Sequence, residues 1–371
     1  MKLTAASAED LTAGLLSAAG LDGPAARTTA RCIVMADVWD IGSHGMLRLP
    51  YYLQRITAGG YPAGARLTTV SDTGPVISLD GGGGLGHWQL WHAAELATRR
   101  ATEFGIAAVS VANSGHCGAL GLYTAPGLEA GLLTLVFSNG PAVMPAWGTS
   151  TPLLSTSPLA AGIPARPRPA IVDMATSAVA RGKIASYAKK GAELPPGWAL
   201  DAAGQPTTDP QAALRGLLSP LGGAKGFALA LLVEAIAGGL AGPHLSAEVP
   251  DMFAEADATR PQRIGHLLIA LDPDRFGPDG GAGSTSGAGS DGSTGSDGGS
   301  GAGSDGSGGG GARDRLDRLA ASVVAAGGRL PGSRRVLPWE VDPASPIELP
   351  AQTADEIAGW AGRLGVPLGA G

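Results

Sequence analysis

Between residues 277 and 311 the chain is almost wholly glycine, serine, aspartate and alanine, and no folded core can run through such a stretch. Its few apolar atoms cannot offset the entropy of ordering it. The imperfect GSDG repeats within it do not make a solenoid, because no repeat carries an apolar residue to stack on the next. The tract is therefore expected to be a disordered loop. Any fold must close from the two sides of it.

On the N-terminal side, residues 7–57 read as helices. Ser7 and Asp10 resemble a capping-box start before Leu11, Leu15, Leu16 and Ala19, and a second periodic run covers Ala25 to Val38. After Pro75 the texture changes to short apolar runs separated by glycines. Val76–Leu79, Ile106–Val111, Leu132–Phe137, Ala170–Val172 and Ile264–Leu271 read as strands, with a helix from His87 to Glu103 between the first two. Residues 226–240 are apolar nearly all round, as in a buried helix, and Arg313–Ala326 reads as an amphipathic one. A chain of 371 residues exceeds one ordinary core. The expected organisation is a helical lobe over 1–74 joined by a C-terminal helical segment 312–371, and a strand-rich domain over 75–276, which the resemblance drawn below makes the nucleotide-binding and catalytic one.

Several function classes drop out. Net charge is −6 and no run of Lys or Arg exceeds a pair, so the electrostatic footprint of a nucleic-acid binder is missing. Gly, Pro and polar residues break every candidate membrane span. Glu9 and Asp10 interrupt what would be the apolar stretch of a signal peptide. Only Cys32 and Cys117 are present, without CxxC spacing, which supports neither a disulfide framework nor a zinc site. A reducing, cytoplasmic setting is expected, with a small-molecule substrate and no metal.

Gly81–Gly86 formally satisfies G-x-G-x-x-G between a strand and a helix. The acidic residue required about 20 positions on is absent, however, since Val109 to Asn113 stand there. His87 and His92 are five apart, which does not place two ligands on one helix face. His116 and Cys117 are adjacent in sequence, which does not orient a thiolate–imidazole couple. Lys189-Lys190 suits a solvated surface pair, and His244 and His266 read as structural or surface histidines.

Two clusters carry more chemistry. In Ile41-Gly42-Ser43-His44-Gly45-Met46-Leu47-Arg48 a histidine and an arginine stand four apart, one turn if the helix has begun. Dehydrogenating a hydroxy acid needs those two types, one group of near-neutral pKa for the hydroxyl proton and a planar cation for the carboxylate. Their other reading is a capped helix start with a surface arginine. In Asn113-Ser114-Gly115-His116-Cys117-Gly118 a histidine sits between glycines where a strand ends, a usual place for sites in α/β proteins. Its other reading is an ordinary turn histidine.

Taken together, ADVWDIGSHGMLRLPYYLQRI (36–56), GIAAVSVANSGHCGALGLYT (105–124), IVDMATSAVARGKI (171–184), LPPGWALDAAGQPTTDP (194–210), PLGGAKGFALALLVEAIAG (220–238) and RPQRIGHLLIALDP (260–273) resemble the malate/L-lactate dehydrogenase family of the non-Rossmann type. That family includes oxidoreductases of sulfolactate, ureidoglycolate, diketogulonate and cyclic imino acids. The resemblance implies an α/β (α+β) fold, a helical lobe plus a nucleotide-binding domain on a mixed sheet, and a homodimer. It implies NAD or NADP as cofactor and a 2-hydroxy or 2-oxo acid, or a cyclic imine, as substrate. It offers His44 and His116 as alternative proton-transfer groups and puts Ser43 and Arg48 with the substrate. It assigns to the cofactor Ser138, Asn139, Asp173, Met174, Ala175, Thr176, Ser177, Arg181, Gly182, Gly222, Gly223, Lys225, Gly332, Ser333 and Arg334.

The chain departs from the family pattern at two places. Ser155-Thr156-Ser157-Pro158 replaces a common G-T-N-P, and Cys117 stands where a bulky aromatic is usual. These losses set up the alternative of another class, a catalytically inactive dinucleotide- or metabolite-binding protein.

Overall fold

The chain enters through a short strand, β1 (Lys2–Thr4), and Thr4 caps helix α1 (Ala5–Ala18). The Thr4 hydroxyl accepts the Ser7 amide at 3.1 Å and Ser7 Oγ accepts the Thr4 amide at 2.9 Å, a reciprocal capping box. The expected start at Ser7 is thereby corrected by one turn. The extended Thr4 supplies the non-helical residue that a cap requires, and Ser7 is the third helical residue.

The computed structural model describes residues 1–251, 254–276 and 311–368. The Gly/Ser/Asp tract lies, apart from Gly311, outside the described residues. After α1 come α2 (Gly23–Val38), α3 (Leu49–Ala58), β2 (Thr68–Asp72), β3 (Val76–Asp80), α4 (Gly86–Phe104), β4 (Ile106–Ser114), β5 (Leu133–Ser138), β6 (Leu159–Ile163), β7 (Ala170–Met174), α5 (Arg181–Lys190), α6 (Ala224–Glu234), β8 (Ile264–Leu271), α7 (Ala312–Ala325), β9 (Pro346–Glu348) and α8 (Ala351–Leu364).

The main sheet has seven strands in the order β2-β3-β4-β8-β5-β6-β7. Of its neighbouring pairs only β3 and β4 run parallel. A dinucleotide-binding Rossmann half needs three parallel strands; this sheet is mixed, with a single parallel pair. Central β8 places Leu268 between Val109 of β4 and Val136 of β5, all three fully buried. Deleting such a side chain costs about 2–5 kcal/mol. Helix α4 covers this face with Ala93, Ala94, Ala97 and Ala101, whose small size lets the helix lie close to Val109 and Val111.

A separate core joins the chain ends. Leu15, Leu16, Ile33, Met46 and Leu53 pack with Ile357 and Ala361 of α8, and β1 pairs antiparallel with β9. Helix α7 docks elsewhere, against the sheet: the Arg313 guanidinium meets Asp274 at 2.9 Å and the Gly131 carbonyl at 3.0 Å.

The helix expected to be buried on all sides is corrected. It runs from α6 into a π-helical turn at Ala235–Ala241 and buries Gly226, Ala230, Val233, Ala237 and Gly238. Leu232 and Leu240 on its other side are 54% and 77% exposed. Periodicity could not show this, because apolar residues occupy both faces.

Candidate active site

The turn that carries Ser43, His44 and Arg48 is two short 3-10 turns, Gly42–His44 and Met46–Arg48, leading into α3. The one-turn α-helical spacing foreseen for His44 and Arg48 is therefore not how they meet. Asp37, at the end of α2, pins the turn: its carboxylate accepts the Met46 amide at 2.7 Å. Gly45 lies so close that a Cβ there would collide with the Asp37 carboxylate. Arg48 Nε donates to the Ser43 carbonyl at 2.7 Å, and Ser43 Oγ lies 3.0 Å from His44 Nδ1. All three predicted side chains thus belong to one small hydrogen-bonded loop.

His116 arrives from the end of β4. Its amide donates to Gln262 Oε1 at 3.2 Å, and the Tyr61 hydroxyl donates to the same oxygen. The Tyr52 hydroxyl lies 2.8 Å from His116 Nδ1, and the Gly118 amide donates to that nitrogen at 3.2 Å. The imidazoles of His44 and His116 stack with centroids 5.8 Å apart and planes 18° from parallel. Two loops 72 positions apart therefore bring both histidines to one place.

The glycine loop serves this assembly. Gly81, Gly83 and Gly86 donate their amides to the carbonyls of Ala112, Asn113 and His116, Gly84 to Gly81, and Gly82 to the Asp80 side chain. Those N–H groups are used up in holding the β4 end, so they do not form a phosphate cradle. A Cβ on Gly86 would collide with the Gly115 carbonyl. This close approach explains the glycine run.

Electrostatically the site keeps its histidines neutral. Burial, and then the Arg48 charge, push His44 down to about 4. Burial, then His44 and Arg48, hold His116 well below the ordinary histidine range. Cys117 is buried and its thiol is pushed up to about 12, chiefly by that burial. It stays a thiol at neutral pH.

Tyr52 and His87 are among the residues of the site that were not singled out from the sequence. Tyr52 is four positions after Arg48 on α3, a spacing that could have flagged it. His87, weighed only as a partner for His92, is fully buried in the first turn of α4, with its centroid 5.0 Å from Tyr52 and 6.3 Å from His116. His92 points elsewhere and is exposed. No cluster of three metal-ligating side chains occurs among the described residues.

The residues assigned to a cofactor fall into distinct settings. Ser138 and Asn139 end β5 and are buried; the Asn139 side chain donates to His244 O at 2.9 Å and accepts the Gly265 amide at 3.0 Å. Asp173 faces Arg335 at 3.5 Å, and burial raises its carboxyl while Arg335 opposes that. Met174 and Ala175 are half-buried, Thr176 Oγ1 donates to Thr156 O at 3.0 Å, and Ser177 Oγ to Val179 O at 3.0 Å. Arg181 and Gly182 open α5, while Gly222, Gly223 and exposed Lys225 lead into α6. Gly332 packs on Ile171 of β7, which leaves Ser333 half-buried and Arg334 exposed; the neighbouring Arg335, not Arg334, meets Asp173 and lies 4.7 Å over the Trp39 ring.

A cavity of about 710 Å³ is lined by Ser43 together with Gly182, Lys183, Tyr187 and Lys190. A second cavity of about 740 Å³, lined by Arg31, Trp88, Trp91 and Glu95 among others, contains none of the predicted residues. Ser157, at the altered G-T-N-P position, is buried with φ of +39° and donates its amide to the Ser155 hydroxyl at 2.9 Å. Asparagine tolerates that backbone region better than serine.

The mixed sheet thus brings two stacked histidines beside an arginine-bearing loop, on a fold without a free glycine-loop phosphate site. The chain matches the profile of the malate/L-lactate dehydrogenase family over residues 3–288, and it belongs to that family. It is 39% identical over 270 residues to a (2R)-3-sulfolactate dehydrogenase (NADP(+)) of Chromohalobacter salexigens, covering 72% of this chain and 80% of the relative. It is 38% identical over 278 residues to a Δ1-pyrroline-2-carboxylate reductase of Ancylobacter novellus, covering 75% and 81%. The sulfolactate dehydrogenase of Methanocaldococcus jannaschii shares the fold, with a TM-score of 0.83 at 24% identity over 99% of this chain and 98% of that one. The Δ1-piperideine-2-carboxylate reductase of Pseudomonas syringae matches with a TM-score of 0.80 at 27% identity, over 97% and 100%.

Proposed function

We propose that this oxidoreductase moves a hydride to or from C2 of a small 2-oxo or 2-hydroxy carboxylic acid, with NAD or NADP as carrier. The observation that carries the reading is the stacked His44–His116 pair, 5.8 Å between centroids, with His44 on the loop that also holds Arg48. A planar guanidinium can hold a carboxylate in two parallel hydrogen bonds. A neutral imidazole can accept the C2 hydroxyl proton during oxidation. In reduction the bound carboxylate raises the neighbouring histidine toward protonation, since an opposite charge favours the charged form.

The residues present suit a dinucleotide. The N-terminus of α5 lacks a side-chain cap, and Arg181 and Lys183 lie in its first turn. A helix N-terminus with two nearby cations favours phosphate, and the cavity beside it reaches Ser43. When bound, the nicotinamide supplies or accepts the hydride. This chain's part is to hold the acid, orient it and exchange the proton.

A cyclic imino acid is the second reading, favoured by the nearly equal identity to relatives of both kinds, 39% and 38%. The same carboxylate clamp would serve, with a ring nitrogen in place of the oxygen. The exposed leucines of α6 and the turn after it, Leu231, Leu232 and Leu240, support a homodimer that covers this face. Following NAD(P)H absorbance with both cofactors against 2-oxo acids, 2-hydroxy acids and cyclic imines tests the proposal. Absence of turnover across the panel by folded protein would leave the inactive-binder alternative instead.

A further inference from the structure

We propose that Tyr52 is a positioning residue which, with the Gly118 amide, holds His116 as the neutral tautomer with its proton on Nε2. His116 then serves the substrate as a fixed hydrogen-bond donor. The inference rests on the reaction proposed above for its use, but not for its geometry. Two groups converge on Nδ1, the Tyr52 hydroxyl at 2.8 Å and the Gly118 amide at 3.2 Å. An amide N–H can only donate. Nδ1 must therefore present its lone pair, the Tyr52 hydroxyl must donate as well, and the single ring proton is left to Nε2.

A histidine that cycles through imidazolium usually has a carboxylate or carbonyl behind it to accept the second N–H. His116 has two donors there instead. The groups around it add no compensating negative charge: Arg48 and Tyr52 face it from the N-terminal segment, His44 from the loop before, His87 from α4, and His266 from β8. No described residue hydrogen-bonds Nε2, which lies on the side of the ring away from Tyr52. Giving up the Nε2 proton would create an imidazolate, a far stronger base than a neutral imidazole such as His44. So His116 polarises the substrate oxygen, and the proton that joins it as hydride reaches carbon passes through His44.

Glycine at 118 is part of the device. Its φ is +73°, and a Cβ there would stand 2.7 Å from His87 Nε2, so the amide can reach back to His116 only with this residue.

The test is nitrogen NMR of the full chain with ¹⁵N-labelled histidine and no ligand, His116 being assigned by the signals lost in His116→Gln. The expected spectrum at pH 7 has Nε2 protonated and Nδ1 unprotonated and hydrogen-bonded. In Tyr52→Phe the Nδ1 signal should move toward a free lone pair, and His116 should titrate at higher pH, because a donor to the neutral form has gone. With a working substrate, kcat should fall roughly 10–100-fold and KM less than about threefold. A proton on Nδ1 in the native protein, or an unchanged His116 spectrum in Tyr52→Phe, would overturn the assignment. The native spectrum decides even if that variant fails to fold. Because it needs no turnover, lack of activity would count against the proposed reaction and not against the tautomer.

Discussion

Replacing Asp37 by Asn should stabilise the protein at alkaline pH and do much less in acid. Burial raises the Asp37 carboxyl from 3.8 to about 6, opposed by the hydrogen bond from the Met46 amide. A folded value above the unfolded one means that the native state keeps a proton which the unfolded chain has released between about pH 4 and 6. Stability from this group is therefore greatest below the unfolded value and is lost as pH rises through the folded one. A shift of roughly 2 units corresponds to about 3 kcal/mol at pH 8 and about 1 kcal/mol at pH 4.5. An asparagine oxygen can still accept the Met46 amide, bonded to Oδ2 at 2.7 Å, and among the described residues no donor meets the other oxygen, so the amide NH₂ faces no opposing donor there. Urea midpoints of both proteins at the two pH values give the comparison, with the unchanged slope as a check that the unfolding transition is the same. The reasoning fails if Asp37→Asn loses stability at pH 8, or if its effect is equal at both pH values.

Further expectations follow from the same geometry. Arg48→Lys should lower kcat/KM by about 2–4 kcal/mol of transition-state stabilisation, since an ammonium cannot form two parallel hydrogen bonds; an unchanged value in steady-state assays would remove Arg48 from the substrate. His44→Ala should cost about 10²–10⁴-fold in kcat if it carries the proton, and a loss below about tenfold in folded protein would exclude that role. Gly86→Ala drives a Cβ into the Gly115 carbonyl and should lower the thermal midpoint together with kcat; an unchanged midpoint would show that the loop has slack. Leu240→Asp should convert a dimer to monomer in light scattering at micromolar concentration, and an unaltered mass would place the interface elsewhere.

Where one face of an element is buried and the other is not, the sequence could be read closely. The strand expected at Ile264–Leu271 has those ends in the structure, because the apolar run Leu267–Leu271 dominates it and Pro261 and Pro273 lie just beyond its ends. The helix expected at His87–Glu103 is longer by one residue at each end. Legibility failed where local pattern carries no information on partners. β6 was not foreseen, for Leu159-Ala160-Ala161-Gly162-Ile163 is weakly apolar and becomes a strand by pairing with β5 and β7. The exposed side of α6 was hidden by its uniform composition.

The site shows the same division in sharper form. Ser43, His44, Arg48 and His116 were recognisable by residue type, because proton transfer and carboxylate binding call for few side chains. The groups that define how they work were not. Gln262 reaches the His116 amide across 146 positions, and Asp37 reaches the Met46 amide across nine, from a different helix. Gln262 is an ordinary polar residue until the antiparallel β4–β8 pair brings it beside the end of β4, and Asp37 is one until the chain doubles back after α2. The glycine run has the same explanation: it reads as a nucleotide fingerprint in one dimension, but its amides are consumed by Ala112, Asn113 and His116. Backbone hydrogen bonds that must be satisfied somewhere are satisfied here by the loop that presents the histidine. A rigid support for His116 is therefore what those glycines provide, and their amides are not left over to cradle a phosphate.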